Sequence, residues 1–281
     1  MRTLHVDSGR ELRGGQWQAL YLIERLSGAV LLARAGSPLF AEAARRKVDV
    51  RALSFRGLAA GARQSDLVHV HDARGHTMAA IAGIAPLIVS RRVAFPVKRG
   101  FLSARKYARA TLYLAVSNYV AAQLKGAGVP GDKIRVVYDG VPIAEPGRPK
   151  PGRVVALASK PVEIPGLSVE LTSDLWRDLS TASVFVYKSE MEGLGSAALA
   201  AMACGVAVVA SAVGGLREVV EDGKTGFLVT DNDFAKPVRR LLEDAALAAE
   251  MSRAGRARVE REFSVEGMVE KTMRAYREVL G

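Results

Sequence analysis

The chain has 281 residues, 49% of them apolar and 25% charged, with a formal net charge of +11. That composition excludes a disordered or fibrous chain, and the length holds two modest domains or one large one. One cysteine, Cys204, excludes an intrachain disulfide, and four histidines (His5, His69, His71, His76) have no zinc-like spacing with cysteines.

The first strand is expected at Leu4 to Asp7, followed by the glycine pair Gly14-Gly15 and a helix from about Trp17 to Leu26. No basic start with an apolar core precedes that strand, and no apolar run is long enough to span a bilayer, so a cytoplasmic protein is expected. Ala29 to Ala33 reads as a strand, Pro38 to Arg46 as a helix and Val48 to Leu53 as a strand. Asp66 to His71 is a further buried strand. It ends in Asp72-Ala73-Arg74-Gly75-His76, polar groups where open α/β sheets bind ligands. His71 and Arg74 are the candidate site residues there, and a histidine in such a run is also commonly a satisfied core residue.

Pro86 to Ser90 is the next strand, leading into Arg91 and Arg92. Residues 91 to 109 hold seven basic side chains (Arg91, Arg92, Lys98, Arg99, Arg105, Lys106, Arg109) and no acidic one, with Phe95, Phe101, Leu102 and Tyr107 among them. Clustered this way, the charges suit an anionic bilayer surface or a phosphorylated lipid acceptor, or make a solvated loop. No known nucleic-acid motif accompanies them. Strands at Thr111 to Val116 and Ile134 to Tyr138, with a helix capped at Ser117-Asn118 between them, close the first half. The proline-rich stretch from Pro142 to Gly152 reads as a linker.

The second half opens with a strand at Arg153 to Ala158, then Lys160, a short strand near Leu167 to Leu171 and a helix from Ser173 to Thr181. The strand Val184 to Tyr187 delivers the loop Glu192-Gly193-Leu194-Gly195. Ser196 is placed to cap a helix starting at Ala197, whose free N–H groups suit a phosphate. Gly205 ends that helix, Val206 to Ala210 is a buried strand, and Gly214-Gly215 opens a second turn. Helices at about Asp233 to Glu243, Ala245 to Phe263 and Val265 to Leu280 complete the chain.

The ordered set Glu192-Gly193-Leu194-Gly195, Ala201-Met202-Ala203-Cys204-Gly205, Gly214-Gly215, Glu218-Val219-Val220, Asp222-Gly223 and Gly226-Phe227-Leu228-Val229 resembles the C-terminal domain of the family 4 (group 1) retaining glycosyltransferases. The resemblance implies an α/β protein of the GT-B type, two Rossmann-like domains with parallel sheets facing a cleft. It implies an acceptor-side domain over residues 1–145 and a reduced nucleotide-sugar domain over 146–264. A last helix over 265–281 crosses back to the first. It further implies transfer of a sugar, with retention, from a nucleotide-sugar to a cell-envelope glycan or lipid-linked acceptor. No metal or other cofactor and no nucleic-acid partner is expected.

Under the same resemblance Glu192 holds the donor sugar, with Arg92 and His71 as further catalytic candidates. Gly14, Gly15, Lys160, Gly193, Leu194, Gly195, Ser196 and Glu218 bind the nucleotide-sugar. Arg91, Lys98, Arg99, Arg105 and Lys106 face the membrane or acceptor. The sequence departs from the family pattern at two places. Ala200 stands where a second glutamate holds the ribose, and the stretch from Ala158 to Val184 is too short for the usual helix–strand–helix. Arg92 replaces a histidine that often follows the strand ending at Ser90. These departures keep open a second reading, a degenerate, non-catalytic binding or partner protein.

Overall fold

The computed structural model describes residues 1–97 and 100–281. It divides into two compact units: residues 1–138 with 265–281, and residues 139–264. The first unit therefore ends at Tyr138, ahead of the proline-rich stretch.

The first unit carries seven parallel strands: β1 (Thr3–Asp7), β2 (Ala29–Ala33), β3 (Asp49–Ala52), β4 (Leu67–Val70), β5 (Leu87–Arg91), β6 (Leu112–Ala115) and β7 (Ile134–Val136). Their order is β3-β2-β1-β4-β5-β6-β7. β1, β4 and β6 are buried along their whole length, as strands covered on both faces must be. Edge strand β3 instead exposes Asp49 and Arg51, which pair with each other and discourage edge-to-edge association. The helices are α1 (Gly14–Ile23), α2 (Pro38–Arg45), α3 (Phe55–Arg63), α4 (Ala73–Ile81), α5 (Phe101–Ala108) and α6 (Asn118–Gly126). Ser37, Ser54, Asp72 and Ser117 cap α2, α3, α4 and α6 through their side-chain oxygens.

Two expectations shift here. The first helix starts at Gly14, not near Trp17, so Gly14 and Gly15 lie inside its first turn, and the Gln16 side chain accepts from Arg13 N–H at the turn's start. Asp72 to His76, expected as polar groups at a strand's end, open a helix: Asp72 caps α4, and Arg74, Gly75 and His76 lie within that helix.

The second unit has a five-stranded parallel sheet, β8 (Val154–Leu157), β9 (Val169–Thr172), β10 (Val184–Tyr187), β11 (Ala207–Ser211) and β12 (Phe227–Val229), ordered β12-β11-β10-β8-β9. Its helices are α7 (Leu175–Leu179), α8 (Ser196–Ala203), α9 (Leu216–Val219), α10 (Ala235–Glu243) and α11 (Ala245–Glu262). Between β8 and β10 the chain holds only β9 and the five-residue α7, shorter at both ends than the helix expected over 173–181. The core is Val154, Val184, Val186, Val209, Phe234, Val238 and Met251. Cys204 is buried, and burial pushes its thiol up to about 11, so it is a packed core thiol.

The last helix, α12 (Val265–Leu280), groups with the first unit. Its Val265, Met268, Ala275 and Tyr276 fill the core against Leu22, Leu67, Ile88, Leu112 and Leu114. A fully buried Val, Leu, Ile or Met among them contributes about 1.5–3 kcal/mol. Each sheet has one place where strand order reverses, between β1 and β4 in the first unit and between β8 and β10 in the second. Ligands of open α/β sheets bind outside the carboxyl ends of such strands.

Candidate functional site

In the second unit the reversal point joins two stretches far apart in sequence. β8 and β10 pair in parallel, Val154 against Val184, so the residues following each emerge side by side. Lys160 follows β8, and the loop to Glu192 follows β10. The Lys160 Nζ donates to Glu192 Oε2 at 2.7 Å, to Ser189 Oγ at 2.8 Å and to Tyr187 Oη at 3.1 Å. The ammonium also lies over the Tyr187 ring, 4.5 Å from its centroid. The Tyr187 hydroxyl donates to the same Glu192 oxygen at 2.7 Å. Burial, then the Glu192 carboxylate, push the Tyr187 phenol far above its ordinary value, so it stays a donor at any working pH. The main chain beneath is tied down as Ser189 N–H donates to Ser211 Oγ at 2.9 Å.

Two glycine turns interlock under this cluster. Gly195 sits at φ +108°, a region that favours glycine, and it rather than Ser196 is the N-cap of α8. The helix begins at Ser196, and its cap makes no side-chain hydrogen bond, unlike the serine cap expected from sequence. Gly215 N–H donates to the Glu192 carbonyl at 3.0 Å. A Cβ on Gly214 would stand 2.1 Å from that carbonyl oxygen, and one on Gly215 would stand 2.1 Å from the carbonyl oxygen of Gly193. Leu194 and Gly195 are buried and Ser196 half-buried. Glu218 is half-buried, and its carbonyl accepts from Arg258 at 3.0 Å. Ala200 is 3% exposed and belongs to the small-residue face that α8 buries.

In the first unit the reversal point is built from histidine. His5 of β1 pairs with His69 of β4 across the sheet, and His71 follows two residues later. His5 Nδ1 meets His71 Nε2 at 3.0 Å, and His5 Nε2 meets Thr3 Oγ1 at 3.0 Å. His69 bonds Tyr276 Oη at 2.5 Å and Ser90 Oγ at 2.8 Å. The Arg92 Nη1 donates to His71 Nδ1 at 3.2 Å. A Cβ on Gly15 would lie 3.8 Å from Arg92 Cδ, so the start of α1 and Arg92 adjoin. Burial holds all three imidazoles well below 6.5, His5 to about 3, with Arg92 adding to the effect. Their ligand atoms lie within 4.8 Å of one another, a spacing a metal tolerates. Every ring nitrogen of the three already has a protein partner, so the cluster is satisfied as a hydrogen-bonded core.

Beside them Asp7 accepts from Gly9 N–H at 2.8 Å and from the Gln16 amide at 3.1 and 3.2 Å. Burial nevertheless raises it to about 6. Asp72 accepts from Ser8 N–H at 3.1 Å and Ser8 Oγ at 2.5 Å.

The basic cluster is divided. The Arg91 guanidinium donates to Tyr107 Oη at 3.2 Å and to the Phe95 carbonyl at 2.5 Å, and Lys106 Nζ donates to the Ala73 carbonyl at 2.8 Å. Both are half-buried and hold the loop and α5 in place. Arg105 and Arg109 are exposed, beside Phe101 and Leu102, which are 77% and 80% exposed. Lys98 and Arg99 lie outside the described residues. No helix among the described residues is long and apolar enough to cross a membrane.

The residues singled out from sequence thus form two groups, one in each unit: Gly15, His71 and Arg92 in the first, and Lys160 with residues 192–196 in the second. Tyr187, Ser189, His5, Thr3 and Asp7 join them unforeseen. Tyr187 was legible as the last residue of the strand that delivers the loop.

Comparison with known proteins agrees with this architecture. Residues 16–145 match the family model described as Glycosyltransferase Family 4, and residues 167–258 match Glycosyl transferases group 1. Alpha-maltose-1-phosphate synthase of Mycolicibacterium smegmatis is 47% identical over 110 residues, 36% of this chain and 28% of that one. A D-inositol 3-phosphate glycosyltransferase of Streptomyces avermitilis is 42% identical over 93 residues, 32% and 19% of the two chains. This chain therefore aligns with about a quarter of the length of these curated relatives. The crystal structure of Anabaena HepE in complex with UDP superimposes with a TM-score of 0.85 at 16% identity, over 99% of this chain and 100% of that one. The chain belongs to the group 1 glycosyltransferases of the GT-B fold.

Proposed function

We propose that the protein transfers a sugar from a nucleotide-sugar to a cell-envelope glycan or lipid-linked acceptor, with retention of anomeric configuration. The observation that carries the reading is the Lys160–Glu192 pair, mounted on two interlocked glycine turns at the strand-order reversal of the second unit. One of its groups suits a diphosphate and the other suits sugar hydroxyls. The relatives support it: Anabaena HepE has also been crystallised with UDP-glucose.

In this reading the sugar's bond to the diphosphate breaks as its anomeric carbon bonds the acceptor oxygen, and the acceptor's proton leaves with the departing group or to solvent. Lys160 and the N–H groups at Gly193, Leu194, Gly195 and Ser196 stabilise the developing phosphate charge. Glu192 accepts from the sugar hydroxyls. Glu218 takes part of the nucleoside contact left by Ala200. No metal is needed. The acceptor is met at an anionic membrane surface, with Phe101 and Leu102 inserted and Arg105 and Arg109 on the headgroups.

Donor hydrolysis, read as release of nucleoside diphosphate, tests the reading without knowing the acceptor. Glu192→Ala should abolish turnover while leaving the circular dichroism spectrum unchanged. Unchanged turnover would remove Glu192 from the mechanism.

A second reading, a non-catalytic relative that binds a partner or acceptor, draws on one observation. Ala200 is buried and offers ribose nothing, and losing a charge-assisted bond pair there amounts to about 1.5–3 kcal/mol. Nucleotide binding without any turnover would favour it.

A further inference from the structure

Lys160 has no donor left over. An ammonium carries three N–H groups and no acceptor. Glu192 Oε2 at 2.7 Å, Ser189 Oγ at 2.8 Å and Tyr187 Oη at 3.1 Å take all three. A phosphate is therefore met only when one of these bonds is given up. The bond to Glu192 is the one that pairs two charges, each of which would otherwise serve a ligand. Breaking it would strand a carboxylate whose side chain is only 20% exposed.

Tyr187 removes that difficulty. The ammonium occupies a lone pair of its oxygen, so the phenol proton points at Glu192 Oε2, 2.7 Å away. Burial keeps that proton in place. Tyr187 is 5% exposed, ends β10 and stacks on Phe185 with ring centroids 5.9 Å apart, so its hydroxyl is a fixed donor. Lys160 instead reaches the cluster on a flexible four-carbon stem. Both bonds fall on Oε2, and among the described residues no group donates to Oε1.

We propose that Tyr187 is a positioning residue that holds Glu192 while Lys160 passes from the carboxylate to a diphosphate. The proposal rests on the reading of Lys160 as a phosphate ligand. In the ligand-free protein the Lys160–Glu192 pair is then a parked state. As the ammonium leaves, Oε2 keeps the phenol as its donor and Oε1 stays open to a sugar hydroxyl. The Tyr187 ring face, 4.5 Å from the ammonium, lines its path.

A double-mutant cycle on UDP affinity tests the exchange, with Tyr187→Phe and Glu192→Gln made singly and together. Phenylalanine keeps the ring under the ammonium and removes only the hydroxyl. In the wild-type background it should weaken UDP binding about tenfold, because Lys160 cannot leave without stranding Glu192. UDP lacks the transferred sugar, so Glu192 does nothing for it except detain Lys160. Glu192→Gln should therefore bind UDP about threefold more tightly than wild type. In the Glu192→Gln background, Tyr187→Phe should change the affinity by less than about twofold, since no carboxylate is left to strand. A merely structural role for the hydroxyl would weaken binding equally in both backgrounds. Equal losses, or a Glu192→Gln variant that binds UDP no more tightly than wild type, would overturn the proposal and leave the donor reading standing. A wild type that binds neither UDP nor inorganic pyrophosphate would sink both together.

Discussion

Both units carry a glycine pair at the start of a helix, and the two pairs exist for different reasons. In the second unit the glycines are demanded by the protein itself, because a Cβ on Gly214 or Gly215 would collide with backbone at 2.1 Å. In the first unit a Cβ on Gly15 would meet nothing nearer than the Arg92 Cδ at 3.8 Å. Packing alone would admit a side chain there, and glycine at this helical position even weakens the helix. The contrast separates a glycine required by architecture from one that the surrounding packing does not require. Charge is handled differently too. Lys160 donates to the Glu192 carboxylate, and one contact of Arg92 is to the His71 imidazole.

The largest expected effect tests the architectural half of this comparison. Gly215→Ala should destabilise the second unit by several kcal/mol, since the clash is with main chain that cannot swing aside. One tryptophan lies in each unit, Trp17 in α1 and Trp176 in α7. In single-tryptophan variants, the Trp176 signal should move to much lower denaturant, and an unmoved midpoint would break the comparison.

Acid comes next. All four histidines lie in the first unit, and burial depresses each of them, His5 and His76 to about 3. A histidine depressed in the folded state contributes stability that is complete above its unfolded value of 6.5 and is lost as pH falls towards its folded value. Between pH 7 and pH 5 each should remove about 2 kcal/mol from the first unit. Asp7, raised to about 6, acts in the opposite sense over part of that range, being favoured by acid in the folded state, and offsets a minor part. The Trp17 transition should therefore weaken at pH 5 well before the Trp176 transition. Equal sensitivity of the two probes would show that the histidines are not buried neutral.

The smallest expected effect sharpens the ligand half. Gly15→Ala should leave stability unchanged or raise it by about 0.5–1 kcal/mol, as alanine replaces glycine in a helix. It should still weaken donor binding if the ligand approaches that backbone. Retained affinity would mean that Gly15 faces no ligand.

The parts legible in the sequence were those set by local backbone demands. The strands of the first unit were legible between turn residues, most as apolar runs and β3 as an alternating edge segment, and the glycine turns of the second unit announced the loop at Glu192. What was missed is non-local. The pairing of Lys160 with Glu192 depends on β8 lying beside β10, which no window of sequence contains. His5 had no motif, because the bond to His71 crosses from β1 to the end of β4. Helix α4 was hidden because its cap, Asp72, looks like a ligand group at a strand's end, and Arg74, Gly75 and His76 inside it lack apolar periodicity.

The central claim is that the Lys160–Glu192 cluster binds the diphosphate end of a nucleotide-sugar. A thermal-shift panel with UDP, GDP, ADP, dTDP and CMP, run on the wild type and on Lys160→Ala, tests it most directly. A ligand that binds only the folded state raises stability by RT ln(1 + [L]/Kd). The account predicts that one nucleoside diphosphate raises the melting temperature of the wild type and that Lys160→Ala loses most of the shift. No shift at millimolar nucleotide, or an equal shift in the variant, would contradict it.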